Sequence, residues 1–467
     1  MDSLPDSFNP SKRLKEEFVS NLTGSSILEI VALSTNVSIL ILLRHCFASN
    51  HLIDVSLKKS DNEIVCSKDW RAYMASMAFD FLVIVFPMIL FLTVLADWTY
   101  LCTVLLTMLL FLSMAAKRLN LSGSYSPTLE GGIDSLRTII LSYRFSVMIV
   151  TCLSILAVDF RIFPRKYAKT ETYGTGLMDL GVGSFVLVNS LVSRQARNIS
   201  SMSWKTGLQS TSPLIVLGFV RLVSTAGVDY QVHVSEYGVH WNFFFTLAAI
   251  SILTHAIHVP PQYSGILGLL VLVGYQICLM NGLNLYLISD ERGTDILSQN
   301  KEGFFSIFGY WGLYLLGVQL GNYLFFGKHS SAGMRRNRWA TIRVWILSLL
   351  FWTVTVLLDR HVERVSRRMC NVAYITMVLA QNFQVMSIIM LSAYVPGSKT
   401  SILEEAFNRN LLSVFLLANL FTGLVNLSVD TLSVSSVAAL FILVVYASVL
   451  SAVVGIADFH GIRLKFW

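Results

Sequence analysis

Asp159 and Lys169 stand ten positions apart, on either side of a proline, directly after an apolar run of membrane length. The stretch VDFRIFPRKYAKTETYGTG, Val158–Gly176, also carries Arg161, Arg165, Lys166 and Glu171. Asp159 closes the run SVMIVTCLSILAV, so its carboxylate is partly desolvated; desolvation favours the neutral form and a nearby cation the charged one. Pro164 has no N–H to donate and disfavours helix at Phe163, so the chain can fold back and carry Lys169 towards Asp159. An acid–amine pair of this kind can take a proton from a hydroxyl or stabilise a developing oxyanion. The same residues also read as an interfacial cluster whose bases snorkel to lipid headgroups.

Other charges lie inside apolar segments: Arg144 in SYRFS, Asp179 in LMDLGVG and Arg221 in GFVRLV. Intramembrane charges usually pair with one another or face a cavity. An Arg144–Asp179 pair and a shared substrate cavity are both open, and Arg221 has no partner legible in the sequence; Glu171 joins these three as a candidate substrate contact. Gly181 and Gly183 suit close helix contact. His255 and His258 sit one helical turn apart in LTHAIH, without an acidic or cysteine neighbour, which reads as polar packing rather than a metal site. The six cysteines are scattered with no CxxC, so neither a disulfide framework nor bound zinc is expected. No Walker, GxSxG or HExxH pattern occurs. The basic stretch GKHSSAGMRRNRWATIR, Gly327–Arg343, suits the phosphates of a nucleotide-bearing donor or an anionic leaflet, although topology alone accounts for it.

These residues need a scaffold, and composition says which kind. Of 467 residues 54% are hydrophobic and 13% charged, about half the charge of a soluble domain. Apolar runs of about 20 residues recur from end to end, each long enough to span a bilayer. The expectation is an all-α polytopic transmembrane helical bundle of about 13 spans, near 26–43, 73–95, 98–115, 138–158, 176–193, 213–228, 241–257, 265–283, 304–326, 340–358, 371–394, 411–428 and 433–456. It forms a single membrane domain over 1–467, with 1–25 as a polar leading segment. Those first residues lack the apolar core of a signal peptide, so the first span is expected to direct insertion. The net charge of +7 reflects basic loops and carries no nucleic-acid signal. No internal repeat is visible, which counts against an inverted-repeat transporter, the competing class together with a lipid flippase.

Thirteen spans put the termini on opposite sides. Lys and Arg number 20 in the odd loops and C-terminal tail against 13 elsewhere outside the spans, which places the odd loops and C-terminus in the cytosol and the N-terminus opposite. The loop carrying Asp159 and Lys169 then lies on the non-cytosolic face. It shares that face with SEYGVHWN (Ser235–Asn242), SDERGTDILSQNKEG (Ser289–Gly303) and DRHVERVSRR (Asp359–Arg368), and a polar substrate there could meet several of them.

Four blocks carry a family resemblance: KEEFVSNLTGSS near the N-terminus, SILAVDFRIFPRKYAKTETYGTGLMDLGVGSFV, SEYGVHWNFFFTLA, and the region from NLNLYLIS through DERGTDILSQNKEG to GYWGLYL. They resemble the GPI-anchor inositol acyltransferases of the PIG-W type, and span number and block order match along essentially the whole chain. The resemblance implies a multi-pass protein of the endoplasmic reticulum membrane. It implies transfer of a fatty acyl chain from acyl-CoA, typically palmitoyl-CoA, to the inositol 2-hydroxyl of glucosaminyl-phosphatidylinositol on the lumenal side. It carries the family's acid–lysine pair onto Asp159 and Lys169. No permanently bound cofactor is implied; acyl-CoA is a co-substrate.

Overall fold

The computed structural model describes residues 17–18, 20–47, 69–121, 132–199, 204–226, 234–289, 291–326, 333–395 and 400–463. In chain order its apolar helices are α1 (Ile27–Phe47), α2 (Trp70–Phe91), α3 (Ala96–Lys117), α4 (Gly132–Ala157), α5 (Leu180–Leu191), α6 (Trp204–Ala226), α7 (Phe243–Ala256), α8 (Pro261–Ile288), α9 (Lys301–Phe326), α10 (Gly333–His361), α11 (Val372–Ile389), α12 (Leu411–Ser428) and α13 (Ser436–Phe459). Among the described residues, eleven are long and apolar enough to cross a membrane. The other two, α5 and α7, have 12 and 14 residues and reach roughly 18 and 21 Å, short of the hydrocarbon thickness of about 30 Å. The segments 176–193 and 241–257, expected as full spans, hold helices shorter than a full span. Among the described residues there is no strand, only isolated bridges from Gly24 and Ser25 to Thr175.

The central helix is α11, whose residues from Ala373 to Ile389 are all buried. It packs on α10, α1, α4 and α5. Its sequence is apolar nearly all round, as burial on every side requires. Its polar side chains are mostly bonded within the bundle, because an unpaired polar group in hydrocarbon is costly. Asn382 accepts from the Tyr143 hydroxyl at 2.8 Å and donates to Ser184 Oγ and the Val378 carbonyl. Gln384 donates to Val31 O and Thr35 Oγ1 and accepts from Trp352 Nε1. In contrast, α3 is peripheral and turns Leu101, Leu105, Met108 and Leu112 outward.

Polar side chains gather at the two ends of the bundle. At the upper end, where α1 begins and α4 finishes, the loops are laced by backbone bonds. Ser25 N donates to Thr175 O at 2.7 Å, Glu171 N to Leu22 O at 3.0 Å, and Gly174 N to Val365 O at 2.9 Å. His240 N donates to Asn300 Oδ1 at 2.7 Å. The four loops expected to share a face do share one, and the chain leading into α1 joins them. At the lower end Arg44 pairs with Asp80, His45 Nε2 lies 3.1 Å from Glu404 Oε2, and Arg409 pairs with Asp458 at 2.9 Å.

Candidate active site

The segment between α4 and α5 is shaped before it carries any chemistry. After Pro164 the chain makes one tight turn, Arg165–Tyr167. The Arg165 guanidinium donates to the carbonyls of Val158, Phe160 and Phe163, satisfying backbone acceptors left over where α4 stops. The Tyr167 hydroxyl is buried 3.0 Å from Glu29 Oε1, and Lys166 pairs with Glu29 at 2.8 Å, so the turn is fastened to α1. In TYGTG the backbone at Gly174 has φ of 129°, a region open essentially to glycine, and a Cβ on Gly176 would run into the Ala168 carbonyl.

Asp179 then closes the loop. Its carboxylate accepts from Thr170 N at 3.1 Å, Thr170 Oγ1 at 2.9 Å, Gly176 N at 2.8 Å and Arg367 Nε at 2.8 Å. The pair with Arg144 left open by the sequence is not formed. Arg367, from the loop before α11, takes that place because it descends directly over the start of α5. Arg144 lines a separate small pocket with Val188, Phe325 and Met386.

Lys169 precedes the residue that Asp179 grips. Its ammonium donates to both oxygens of Glu236 at 2.8 Å, and Arg367 Nη1 reaches Glu236 Oε1 at 3.2 Å. Asp179, Arg367, Glu236 and Lys169 thus form a continuous chain of alternating charge drawn from three loops. Burial would raise the Glu236 carboxyl, but Lys169, Arg367 and Arg221 outweigh it and hold it at about 2. Burial pushes Lys169 below the ordinary lysine range; Glu236 opposes the shift, while Arg367 and Arg221 add to it. Burial would lower Arg367, yet Glu236 and Asp179 drive it upward.

Lys169 and Asp159 line one cavity of about 580 Å³, within the range typical of ligand pockets. The sequence expected Lys169 near Asp159; the structure gives them this shared space, with Lys169 anchored on Glu236 and Asp159 Oδ2 accepting from Asn426 Nδ2 at 2.7 Å. Glu171 and Arg221 line the same cavity, as do His240 and Asn242. Below this polar end the walls turn apolar, with Val37, Val147, Val150, Leu180, Val385 and Phe415. The short helices α5 and α7 begin at the polar end, and Asn242 caps α7 by accepting from Phe244 N at 3.0 Å. Of the two glycines of α5, both expected at close helix contacts, only Gly183 is at one. A Cβ on Gly183 would come 2.7 Å from Val378, so Gly183 permits close packing on α11; Gly181 has open space beside it and lines the cavity.

Three contributors escaped the sequence reading: Glu236, Arg367 and Asn426. Their loops were quoted for the first two, but DRHVERVSRR offers four arginines with nothing to single out one. Asn426 stands out only as an NxS/T acceptor misplaced within an apolar run. His255 and His258 lie away from the cavity. His255 packs against Gly207 with Nδ1 2.7 Å from Ser251 O, and His258 is exposed. Residues 327–332 of the basic stretch fall outside the described residues.

The family model GWT1 matches residues 11–457. The chain is similar to an uncharacterized protein of Arabidopsis thaliana, 57% identical over 92% of this chain and 98% of the relative. It is also similar to a GPI-anchored wall transfer protein 1 of Gibberella zeae, 35% identical over 99% of this chain and 100% of the relative. The glucosaminyl-phosphatidylinositol-acyltransferase PIGW of Mus musculus is 31% identical over 98% of this chain and 99% of its own length. Matched by the family model along nearly its entire length, the chain belongs to the GWT1 family.

Proposed function

We propose that this protein is the inositol acyltransferase of GPI-anchor biosynthesis, moving a fatty acyl chain from acyl-CoA to the inositol 2-hydroxyl of glucosaminyl-phosphatidylinositol. The observation that carries the proposal is the single cavity in which Asp159 and Lys169 stand above a long apolar wall. Family membership supports the class of reaction, and the relative named for that activity supports the acceptor. Palmitoyl-CoA as donor, the endoplasmic reticulum and the lumenal face are part of the same reading; the excess of Lys and Arg in the odd loops supports the side.

In the proposed step Asp159 takes the proton of the inositol hydroxyl as the oxygen attacks the thioester carbonyl carbon. Negative charge gathers on the carbonyl oxygen and is met by the Lys169 ammonium, aimed by Glu236. Collapse breaks the C–S bond; the thiolate leaves with the bonding pair and receives the proton held by Asp159. The products are an inositol ester and free CoA thiol. The acyl chain lies along the apolar wall, where each methylene removed from water contributes about 0.8 kcal/mol. Arg221 and Glu171 contact the polar parts of the substrates, and neighbouring membrane lipids supply the acceptor. Direct transfer needs no covalent enzyme intermediate, in keeping with the lack of cysteine among the described residues that line the cavity.

The test adds labelled acyl-CoA and glucosaminyl-phosphatidylinositol to purified protein in liposomes. A new alkali-labile acyl ester on the inositol lipid is the expected result. Movement of lipid between leaflets with no ester formed would replace the enzyme by a flippase.

A further inference from the structure

Among the polar side chains of α11, Gln381 differs from its neighbours. Asn382 and Gln384 are bonded to named partners, whereas neither Oε1 nor Nε2 of Gln381 has one. Gln381 is only 3% exposed and lines the cavity. On α4, Ser154 is in the same condition: 4% exposed, lining the cavity, its Oγ without a partner. Buried polar groups are almost always bonded, and leaving one unmet costs more than a typical bond returns. Two such residues line one cavity, and an occupant of that cavity is the nearest source of the missing partners.

Depth limits what that occupant is. Ser154 lies three residues below the upper end of α4, and Gln381 nine residues below the upper end of α11. At about 1.5 Å per residue these are levels of roughly 5 and 14 Å. A plain alkyl chain running down the cavity would cover Gln381 with methylenes and leave both its amide atoms unmet. A carboxamide side chain offers a donor and an acceptor together, the complement of a secondary amide, and its N–H alone suits an ester or thioester carbonyl.

We infer that Gln381 and Ser154 form a binding subsite, along the cavity wall below its polar end, for a carbonyl- or amide-bearing segment of a substrate. The inference rests on the proposed acyl transfer. Two sources carry this chemistry: the amide-bearing pantetheine arm of the donor and the glycerol ester groups of the inositol lipid. In either case the apolar part of the cavity is not simply a chain-sized groove.

The experiment compares wild type with Gln381→Met, which keeps the bulk and removes the amide. Binding is read by thermal shift with a non-reactive S-alkyl CoA thioether and with phosphatidylinositol in diacyl and dialkyl-ether forms. Turnover is read with acyl-CoA and with an amide-free alkyl thioester. The expected result is about a 10-fold loss in affinity and rise in KM for one substrate, as one lost hydrogen bond would give, with kcat changed less than about twofold. If the donor is the source, the loss vanishes with the amide-free thioester; if the lipid is the source, it vanishes with the ether lipid. Equal binding of all probes by wild type and variant would overturn the subsite, as would a loss that persists with both the amide-free thioester and the ether lipid. Should wild type form no ester, the proposed function fails, and the binding arms still decide the subsite. Ser154→Ala, read in the same assays, should produce a smaller loss for the same substrate.

Discussion

The two ends of the bundle both bury ion pairs, yet they are built for different purposes. At the lower end the side chains of Arg44 and Asp80 are 4% and 0% exposed, and His45 and Glu404 are fully enclosed. These groups fasten the short helix Ile402–Arg409 against α1 and α2, with Asp80 Oδ2 accepting from Leu403 N at 3.1 Å. At the upper end Asp179 and Arg367 are equally enclosed, but the chain of charge continues to Lys169, whose side chain is 38% exposed and faces the cavity. Burial of charge therefore does not mark the site. What marks it is a buried network that ends on a group left accessible to a ligand.

The sharpest way to break that comparison is to remove one acid from each end. Asp159→Asn, at the cavity, should reduce acyl transfer by about 10²–10⁴-fold, the usual yield of a general base, with the unfolding midpoint nearly unchanged. Asp80→Asn, at the sealed end, should do the reverse. It leaves Arg44 buried without its charge partner, a loss of about 3–5 kcal/mol, while turnover per folded molecule stays within about twofold of wild type. Turnover and thermal unfolding measured on the same preparations read both arms. Similar losses of both quantities in both variants would erase the distinction.

The linking groups should give intermediate results. Glu236→Gln removes the carboxylate that aims Lys169 but leaves Arg367 paired with Asp179, so transfer should fall by about 10–100-fold with modest destabilisation. The same variant should flatten the acid side of the stability profile. The Glu236 carboxyl ionises at about 2 in the fold and near 4.5 when unperturbed, so its contribution is complete above 4.5 and is lost as the pH falls towards 2. Unfolding midpoints measured from about pH 5 to pH 3 should therefore decline less steeply in Glu236→Gln than in wild type. On the alkaline side, Lys169 loses its proton below the ordinary lysine range, so activity should fall early as pH rises, and Lys169→Arg should move that limb upward.

The smallest effects concern the glycines of α5. Gly183→Ala meets Val378 at 2.7 Å and should cost about 1–3 kcal/mol of stability. Gly181→Ala has room, so it should fold normally and change only the KM for a lipid substrate.

Much of this layout was legible in the sequence. The helical bundle follows from recurrent apolar runs, and the convergence of the Asp159–Lys169 loop with SEYGVHWN and DRHVERVSRR follows from counting spans. Both depend on local, additive properties of the chain. What could not be read is which charge meets which. The Asp179–Arg367 bond joins residues 188 positions apart, and Arg144 was the nearer candidate on the sequence map. The shortness of α5 and α7 was hidden for a related reason. Asp179 and Asn242 end the helical runs at polar loops, but the flanking residues are apolar enough to extend the hydropathy signal into full spans. Polar side chains that lack partners, such as Gln381, are invisible until every neighbour is placed.

The most direct test of the central claim, that acyl transfer takes place at the Asp159–Lys169 end of the cavity, is single-turnover ester formation by purified wild type, Asp159→Asn and Lys169→Ala with labelled acyl-CoA and glucosaminyl-phosphatidylinositol. The account predicts a labelled inositol ester from wild type and at least about a 100-fold slower rate per folded molecule from each variant. Ester formation at the wild-type rate by both variants would contradict it.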